Sequence, residues 1–293
     1  MDIDKKIEDN AAYINEKLGR LFAGGDGDIS RVIEAMKYST LAGGKRIRPF
    51  LVMSVCEALD GDRYAAERFA LAIELIHTYS LIHDDLPCMD DDDYRRGKLT
   101  CHKVYGESTA VLAGDALLTR AFGLISEDER IASGMRLKAI SVLSAAAGYA
   151  GMIGGQIIDL ESEGRQITYE ELARMHSLKT GALIRAACSL GCISAGIFEG
   201  KTYESINKYA EGIGRVFQLV DDILDVTATS EQMGKPAHSD EKNNKTTYLS
   251  FVSIDMARQI AELITEKATE CIKDINNRET LESLAVYLKD RAK

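Results

Sequence analysis

Six carboxylates fall within ten residues from Asp84 to Asp93, directly after the apolar run Leu71 to Ile82, and Arg95, Arg96 and Gly97 follow at once. Like charges at that density repel one another and resist burial without counter-charge. Hard oxygen donors in a cluster suit Mg²⁺, which keeps several waters and is held by one or two carboxylates plus substrate phosphates. A guanidinium fork suits phosphate oxygens, which it binds bidentately. The stretch predicts a metal-diphosphate site; without such neighbours an acidic run reads as a solvated face.

Asp84 and Asp90 are six residues apart, a rotation of about 240° on a regular helix, so they share no face there. Pro87 disfavours helical conformation at Leu86, which lets the chain break after Asp85 and carry Asp90 back toward the same ion. A second cluster, Asp221, Asp222 and Asp225, follows the apolar run Val216 to Val220. Asp221 and Asp225 are one turn apart on one helix face. Gly234-Lys235-Pro236 comes soon after it. Two such clusters on two helices can face each other across a cavity and clamp one diphosphate with several Mg²⁺.

Cations sit in comparable places. Gly43-Gly44-Lys45-Arg46-Ile47-Arg48-Pro49 packs three of them between a glycine pair and a proline. A helix-terminating glycine and a helix-starting proline account for the residues, and the same loop opens onto a helix N-terminus, a common anion site. Lys179 precedes an apolar run (Ala182, Leu183, Ile184, Ala186, Ala187). A lysine there is costly to bury unless paired, and a phosphate group would pair it.

The elements that must position these residues are helices. Helical periodicity runs through the chain and period-2 strands are absent. Helices are expected near 4–20, 30–42, 48–59, 63–84, 107–126, 131–150, 152–161, 169–197, 202–228, 247–274 and 279–291, joined by short connections. An all-α fold in a single domain over residues 1–293 follows, larger than a four-helix bundle. The net charge of −10 argues against a nucleic-acid partner. It leaves anionic substrates open, because bound metal supplies local positive charge. Cysteines 56, 88, 101, 188, 192 and 271 show no CxxC spacing and read as reduced, as in a cytoplasmic protein. Met-Asp-Ile-Asp-Lys-Lys at the start has no apolar core of a signal peptide. Residues 139–158 carry no charge but hold two serines, a glutamine and several glycines. They read as a buried helix rather than a membrane span, with Gly151 and Gly155 allowing close helix approach.

In their order along the chain, Gly43 to Pro49, Tyr79 to Gly97, Gly154 to Leu160, His176 to Ala186 and Phe217 to Pro236 form a signature. The sequence resembles the trans-prenyl diphosphate synthases along nearly its whole length, and among them the bacterial farnesyl-forming ones. The resemblance implies a single-domain helical bundle of ten or more helices around a central cavity, and a homodimer. It implies that Lys45, Arg48, His77 and Arg96 hold the diphosphate of isopentenyl diphosphate. Arg95, Lys179 and Lys235 would bind the allylic diphosphate. Asp84, Asp85 and Asp90 would ligate two Mg²⁺, and Asp221, helped by Asp222 and Asp225, a third. Thr180 and Gln218, with Lys179, would line the reacting carbon. Read alone, His77 is a hydrogen-bonded core residue, Lys179 a snorkelling one, and Gln156 with Asp159 a structural helix pair. That last pair is given no site role.

The implied reaction ionises an allylic C–O bond. Mg²⁺ and fixed cations stabilise the diphosphate as its charge develops. The alkene of isopentenyl diphosphate attacks the carbocation and a proton is lost, with the departing diphosphate as the implied base. Product length depends on what closes the pocket behind Asp84. Regular helix geometry favours Ser80, one turn earlier; Tyr79, about 7.5 Å down the axis, is rotated some 140°. The family rule selects Tyr79 as the floor that stops growth at fifteen carbons. The alternatives are a geranylgeranyl or bifunctional synthase, a non-catalytic subunit, and a terpene cyclase. The subunit would be expected to have lost motif residues, and the cyclase would not need Lys45, Arg48 and Arg96.

Overall fold

A computed structural model describes residues 2–22, 27–227 and 246–291. Thirteen helices account for nearly all regular structure there: α1 (Ile3–Leu21), α2 (Ser30–Thr40), α3 (Ile47–Ala58), α4 (Arg63–Asp84), α5 (Cys101–Tyr105), α6 (Glu107–Ser126), α7 (Ser133–Ala147), α8 (Met152–Ser162), α9 (Tyr169–His176), α10 (Ala182–Ser194), α11 (Lys201–Thr227), α12 (Ile254–Cys271) and α13 (Glu279–Asp290). A short antiparallel hairpin, β1 (Tyr94–Arg95) with β2 (Lys98–Leu99), is the sole sheet among the described residues.

The bundle is organised on α4. Asp62 caps its start by accepting from the Tyr64 and Ala65 amides at 2.8 and 3.4 Å, satisfying two of the amides a helix start leaves open. From Ala65 to Ile82 its side chains are buried on almost every face, which is why this helix shows little amphipathic periodicity. It packs against α2, α3, α6 and α10. Helix α10 is buried throughout except at Arg185. A second, smaller core gathers Leu172 and Met175 of α9, Val216 to Ile223 of α11, Tyr248, and Ala257 and Ala261 of α12.

Helices 63–84 and 107–126 match the sequence expectation end to end. The expected helix 169–197 is not continuous: its middle, Ser177–Gly181, is a π-helical turn, the kind of one-residue bulge that re-aims side chains within a helix. The expected helix 247–274 begins instead as a 3₁₀ turn, Tyr248–Ser250, before α12. Residues 139–158 are buried on one face only. Ala139, Leu143, Ala147 and Met152 face inward, while Tyr149, Ile153 and Ile157 are exposed, and the segment bends between α7 and α8. Helix α6 and the stretch Ser133–Ser162 are long and apolar enough to cross a bilayer by length and composition, yet less than half of either is buried within the chain.

Candidate functional site

The first acidic cluster starts where α4 ends. Asp84 is the last helical residue and Asp85 its C-cap, and the Asp90 amide donates back to the Asp84 carbonyl at 2.9 Å. The chain therefore reverses around Pro87, as its restriction on Leu86 predicts. The Met89 and Asp91 amides both donate to the Leu86 carbonyl, and Asp91 completes the turn with a left-handed backbone, φ 51°. Beyond it the hairpin carries Arg95 back onto the helix end. Arg95 Nε donates to Asp85 Oδ1 at 2.8 Å and Nη2 to Asp92 Oδ2 at 3.0 Å. Asp93 pairs with Lys103 at 2.6 Å. Asp92 and Asp93, given no role from sequence, thus hold Arg95 of the hairpin and Lys103 of α5.

Burial sets the electrostatics. It pushes the Asp84 carboxyl up to about 6, with Lys179 and Arg95 pulling down and Asp90 and Asp85 pushing further up. Asp85 is likewise raised to about 6 by burial, against the pull of Arg95. Two neighbouring carboxyls both held above the usual carboxylate range are a pair that lacks cation, and hard oxygen donors suit Mg²⁺. Among the described residues no three His, Cys, Asp or Glu side chains converge to enclose an ion by themselves. That arrangement is compatible with an ion completed by water and substrate phosphates. The donor set fits Mg²⁺.

The π turn positions the opposite wall. Gly155 of α8 abuts it so closely that a Cβ there would lie 2.2 Å from the Lys179 amide nitrogen. Lys179 Nζ meets Asp159 Oδ2 at 2.6 Å. The partner predicted for this lysine was a phosphate; in the substrate-free chain it is a carboxylate from the adjacent helix, and Asp159 was given no site role from sequence. Thr180 Oγ1 donates to Gln218 Oε1 at 3.0 Å, and Gln218 Nε2 donates to Asp222 Oδ1 at 3.1 Å. The other Asp222 oxygen accepts the Tyr248 amide at 2.7 Å. Asp222 and Asp225 are buried, whereas Asp221 is half-buried and faces Arg291 of the last helical turn at 3.4 Å. The three acids of the second cluster are therefore not equivalent: Asp222 braces Gln218 and Tyr248.

Lys45, Arg48, His77 and Arg96 form the third part. Arg48 is drawn on by both Glu74 and Asp221, which ties this cation to the second acidic cluster. Arg96 donates to the Gly43 carbonyl, and burial lowers its guanidinium to about 10. Burial, then the charges of Arg48 and Arg96, hold His77 well below the usual imidazole range, so it is neutral at neutral pH. Lys45 donates to the Tyr287 hydroxyl at 2.7 Å and lies over that ring. Tyr287, Arg291, Glu74 and Asp159 are the neighbours that residue spacing did not reveal. Lys235 and Pro236 lie outside the described residues.

Tyr79 is 5% exposed, and its ring meets His83 edge-on at 5.7 Å. Asp84 acts on its phenol, which burial pushes up to about 12. Ser80 is only partly buried and donates to the His77 carbonyl at 2.9 Å. Of the two, the ring of Tyr79 is the buried side chain.

The description Polyprenyl synthetase matches the chain over residues 30–283. It is 42% identical over 299 residues to the farnesyl diphosphate synthase of Escherichia coli K12, with 100% of both chains covered. It is 45% identical over 271 residues to that of Micrococcus luteus, covering 90% of each. The apo crystal structure of an FPP/GFPP synthase from Zymomonas mobilis superposes with a TM-score of 0.88 at 36% identity, covering 98% of this chain and 99% of the other. Matched by the family model over most of its length and covered throughout by a relative at 42% identity, the chain belongs to the polyprenyl synthetase family.

Proposed function

We propose that the protein is a farnesyl diphosphate synthase, condensing dimethylallyl or geranyl diphosphate head-to-tail with isopentenyl diphosphate and releasing diphosphate. The observation that carries this reading is the pairing of two acidic helix ends with two separate cation groups. The charges of Arg95 and Lys179 act on Asp84, while those of Arg48 and Arg96 act on His77, with Lys45 on the same loop as Arg48. One diphosphate would be a leaving group and the other an anchor.

Asp84, Asp85 and Asp90 on one side and Asp221, with Asp225, on the other would hold Mg²⁺, three ions by family analogy. Bound there, the metal would supply Lewis-acid stabilisation of the departing diphosphate. Lys179 and Arg95, fixed by Asp159 and Asp85, present charge where it develops and need no reorganisation as it does so. Lys235 is proposed as a third cation on that group. Lys45, Arg48 and Arg96 anchor isopentenyl diphosphate and hold its alkene toward the allylic carbon. Neutral His77 donates a hydrogen bond there without adding charge to three cations. Thr180 and Gln218, joined by their hydrogen bond, line the reacting carbon and offer it oxygen dipoles. Tyr79 and the apolar face of α4 exclude water, which protects a carbocation from hydrolysis.

A homodimer is part of this reading. Val111 and Leu112 of α6 and Tyr149, Ile153 and Ile157 at the α7–α8 corner are exposed apolar residues on helices that pack together, a face suited to a second copy. Six unpaired cysteines favour a reducing compartment, and we place the enzyme in the cytoplasm. A longer product is the second reading, favoured by the similarity to the FPP/GFPP synthase of Zymomonas mobilis. Incubation with Mg²⁺, isopentenyl diphosphate and geranyl diphosphate, followed by dephosphorylation and chromatography, decides between them. Farnesol is expected, a longer alcohol selects the second reading, and no condensation refutes both.

A further inference from the structure

The middle cation of the Gly43 to Pro49 loop does not reach the cavity. Arg46 is 3% exposed and takes a left-handed backbone conformation, φ 52°. Its guanidinium runs inward to acceptors on three helices. Nε donates to Asn15 Oδ1 of α1 at 2.9 Å, Nη2 to the Thr40 carbonyl at the end of α2 at 2.6 Å, and Nη1 to Glu74 Oε1 of α4 at 2.5 Å. Glu74 is 1% exposed and lies three residues before His77, on the same face of α4. Its charge also acts on Arg48 and Arg96.

These contacts fix a loop that would otherwise have several paths. A non-glycine residue with positive φ persists only where its surroundings over-determine it. A planar fork holding acceptors in three directions admits one orientation. On the other side of the loop, the Arg96 guanidinium lies so close to Gly44 that a Cβ there would sit 2.6 Å from its central carbon. Arg46 is neutralised by Glu74, so it adds little to the repulsion among Lys45, Arg48 and Arg96.

We propose that Arg46, with Glu74 and Asn15, is a positioning residue for the anchoring diphosphate. It touches no substrate, and it sets the loop from which Lys45 and Arg48 reach isopentenyl diphosphate. This rests on the assignment of Lys45, Arg48 and Arg96 to that substrate in the proposed function.

The test is steady-state kinetics of the full-length protein with each substrate varied in turn, alongside thermal midpoints. Arg46→Lys keeps the charge but lacks the planar fork whose three nitrogens reach acceptors on three helices, so KM for isopentenyl diphosphate is expected to rise about tenfold. KM for geranyl diphosphate is expected to stay within about twofold. Asn15→Ala removes one acceptor and is expected to give a smaller rise in the same constant, which decides the question if Arg46→Lys does not fold. A lowered midpoint with KM for isopentenyl diphosphate unchanged overturns the proposal, as does an equal rise in both constants. Arg48→Ala separates the two failures. If it raises KM for isopentenyl diphosphate while Arg46→Lys and Asn15→Ala do not, only the positioning role falls. If Arg48→Ala raises the geranyl diphosphate constant instead, the substrate assignment itself falls.

Discussion

Replacing Tyr79 by alanine tests the floor of the cavity. Five residues separate it from Asp84, about 7.5 Å along a helix rising 1.5 Å per residue. The ring and hydroxyl it would lose extend roughly 5 Å, close to the length of one five-carbon unit built from ordinary carbon–carbon bonds. One further condensation is then accommodated. His83 lies one turn further along α4, on the Asp84 side of Tyr79, so it does not close the space that is opened. The expected main product is C20 or longer. Truncating a buried aromatic costs about 3 kcal/mol. In a chain of this size that lowers the thermal midpoint by roughly 6–12 °C, at 2–4 °C per kcal/mol, which leaves a folded enzyme to assay. Tyr79→Phe is the control. The Tyr79 hydroxyl is buried without a hydrogen-bond partner, so its removal should leave the product at C15 and the stability equal or higher. Chromatography of the dephosphorylated products reads both variants. A folded Tyr79→Ala enzyme that still makes C15 refutes the floor, and a Ser80→Phe variant that alone shortens the product would move it to Ser80.

Three further outcomes follow from the same geometry. Asp84→Asn should abolish condensation yet stabilise the metal-free protein at alkaline pH. The folded carboxyl is raised from 3.8 to about 6, so its stabilising share is complete below pH 3.8 and lost as pH rises through 6, by about 2–3 kcal/mol at 1.36 kcal/mol per unit. Thermal melts in chelator should show a gain at pH 8 and none at pH 4, and equal losses at both refute the sign. Asp159→Asn releases Lys179, whose side chain is 26% exposed, so the stability loss should be about 2 kcal/mol, below the cost of breaking a fully buried pair. Its kcat should fall roughly tenfold through lost orientation of the ammonium, and an unchanged kcat would show that Asp159 does not orient it. Leu112→Glu with Ile153→Glu should convert a dimer to monomer in analytical ultracentrifugation; a dimer that survives both charges lies on another face.

What could be read from sequence follows the range of the forces involved. The reversal of Asp90 onto Asp84 was legible because Pro87 acts on its own neighbours, and the bounds of α4 because Asp62 caps locally and Pro87 follows. The π turn at 177–181 left no mark, since one extra residue in a helical turn changes no residue type and its cause is the close approach of Gly155. The short α5 and the hairpin were missed for want of length, too few residues for any period to show. Asp159 was set aside as a helix pair because its partner is 20 residues away on another element. Glu74 did carry a signal. A carboxylate inside the run Leu71 to Ile82 has to be paired if it is buried, and that requirement points to a cation such as Arg46.

The substrate-free chain already gives several of the assigned groups a partner of the kind their ligand would supply. Lys45 has the Tyr287 hydroxyl, Arg95 has Asp85 and Asp92, Lys179 has Asp159, and Asp221 has Arg291. Binding is then an exchange of partners. Exchange leaves fewer bare charges to desolvate, and it keeps each group near its working position before the ligand arrives. The geometry also explains how a chain of net charge −10 can hold two diphosphates. Long-range field would repel them, but at 3 Å the local pairs decide, and beyond a Debye length of about 8 Å the rest is screened. Two of the stand-in partners, Tyr287 and Arg291, are four residues apart at the C-terminal end of the described chain, one serving the anchoring site and the other the second acidic cluster. On the proposed assignment, a ligand that takes Lys45 from Tyr287 acts on the same C-terminal segment whose Arg291 faces Asp221, which would join the two proposed diphosphate sites through α13 and its cap.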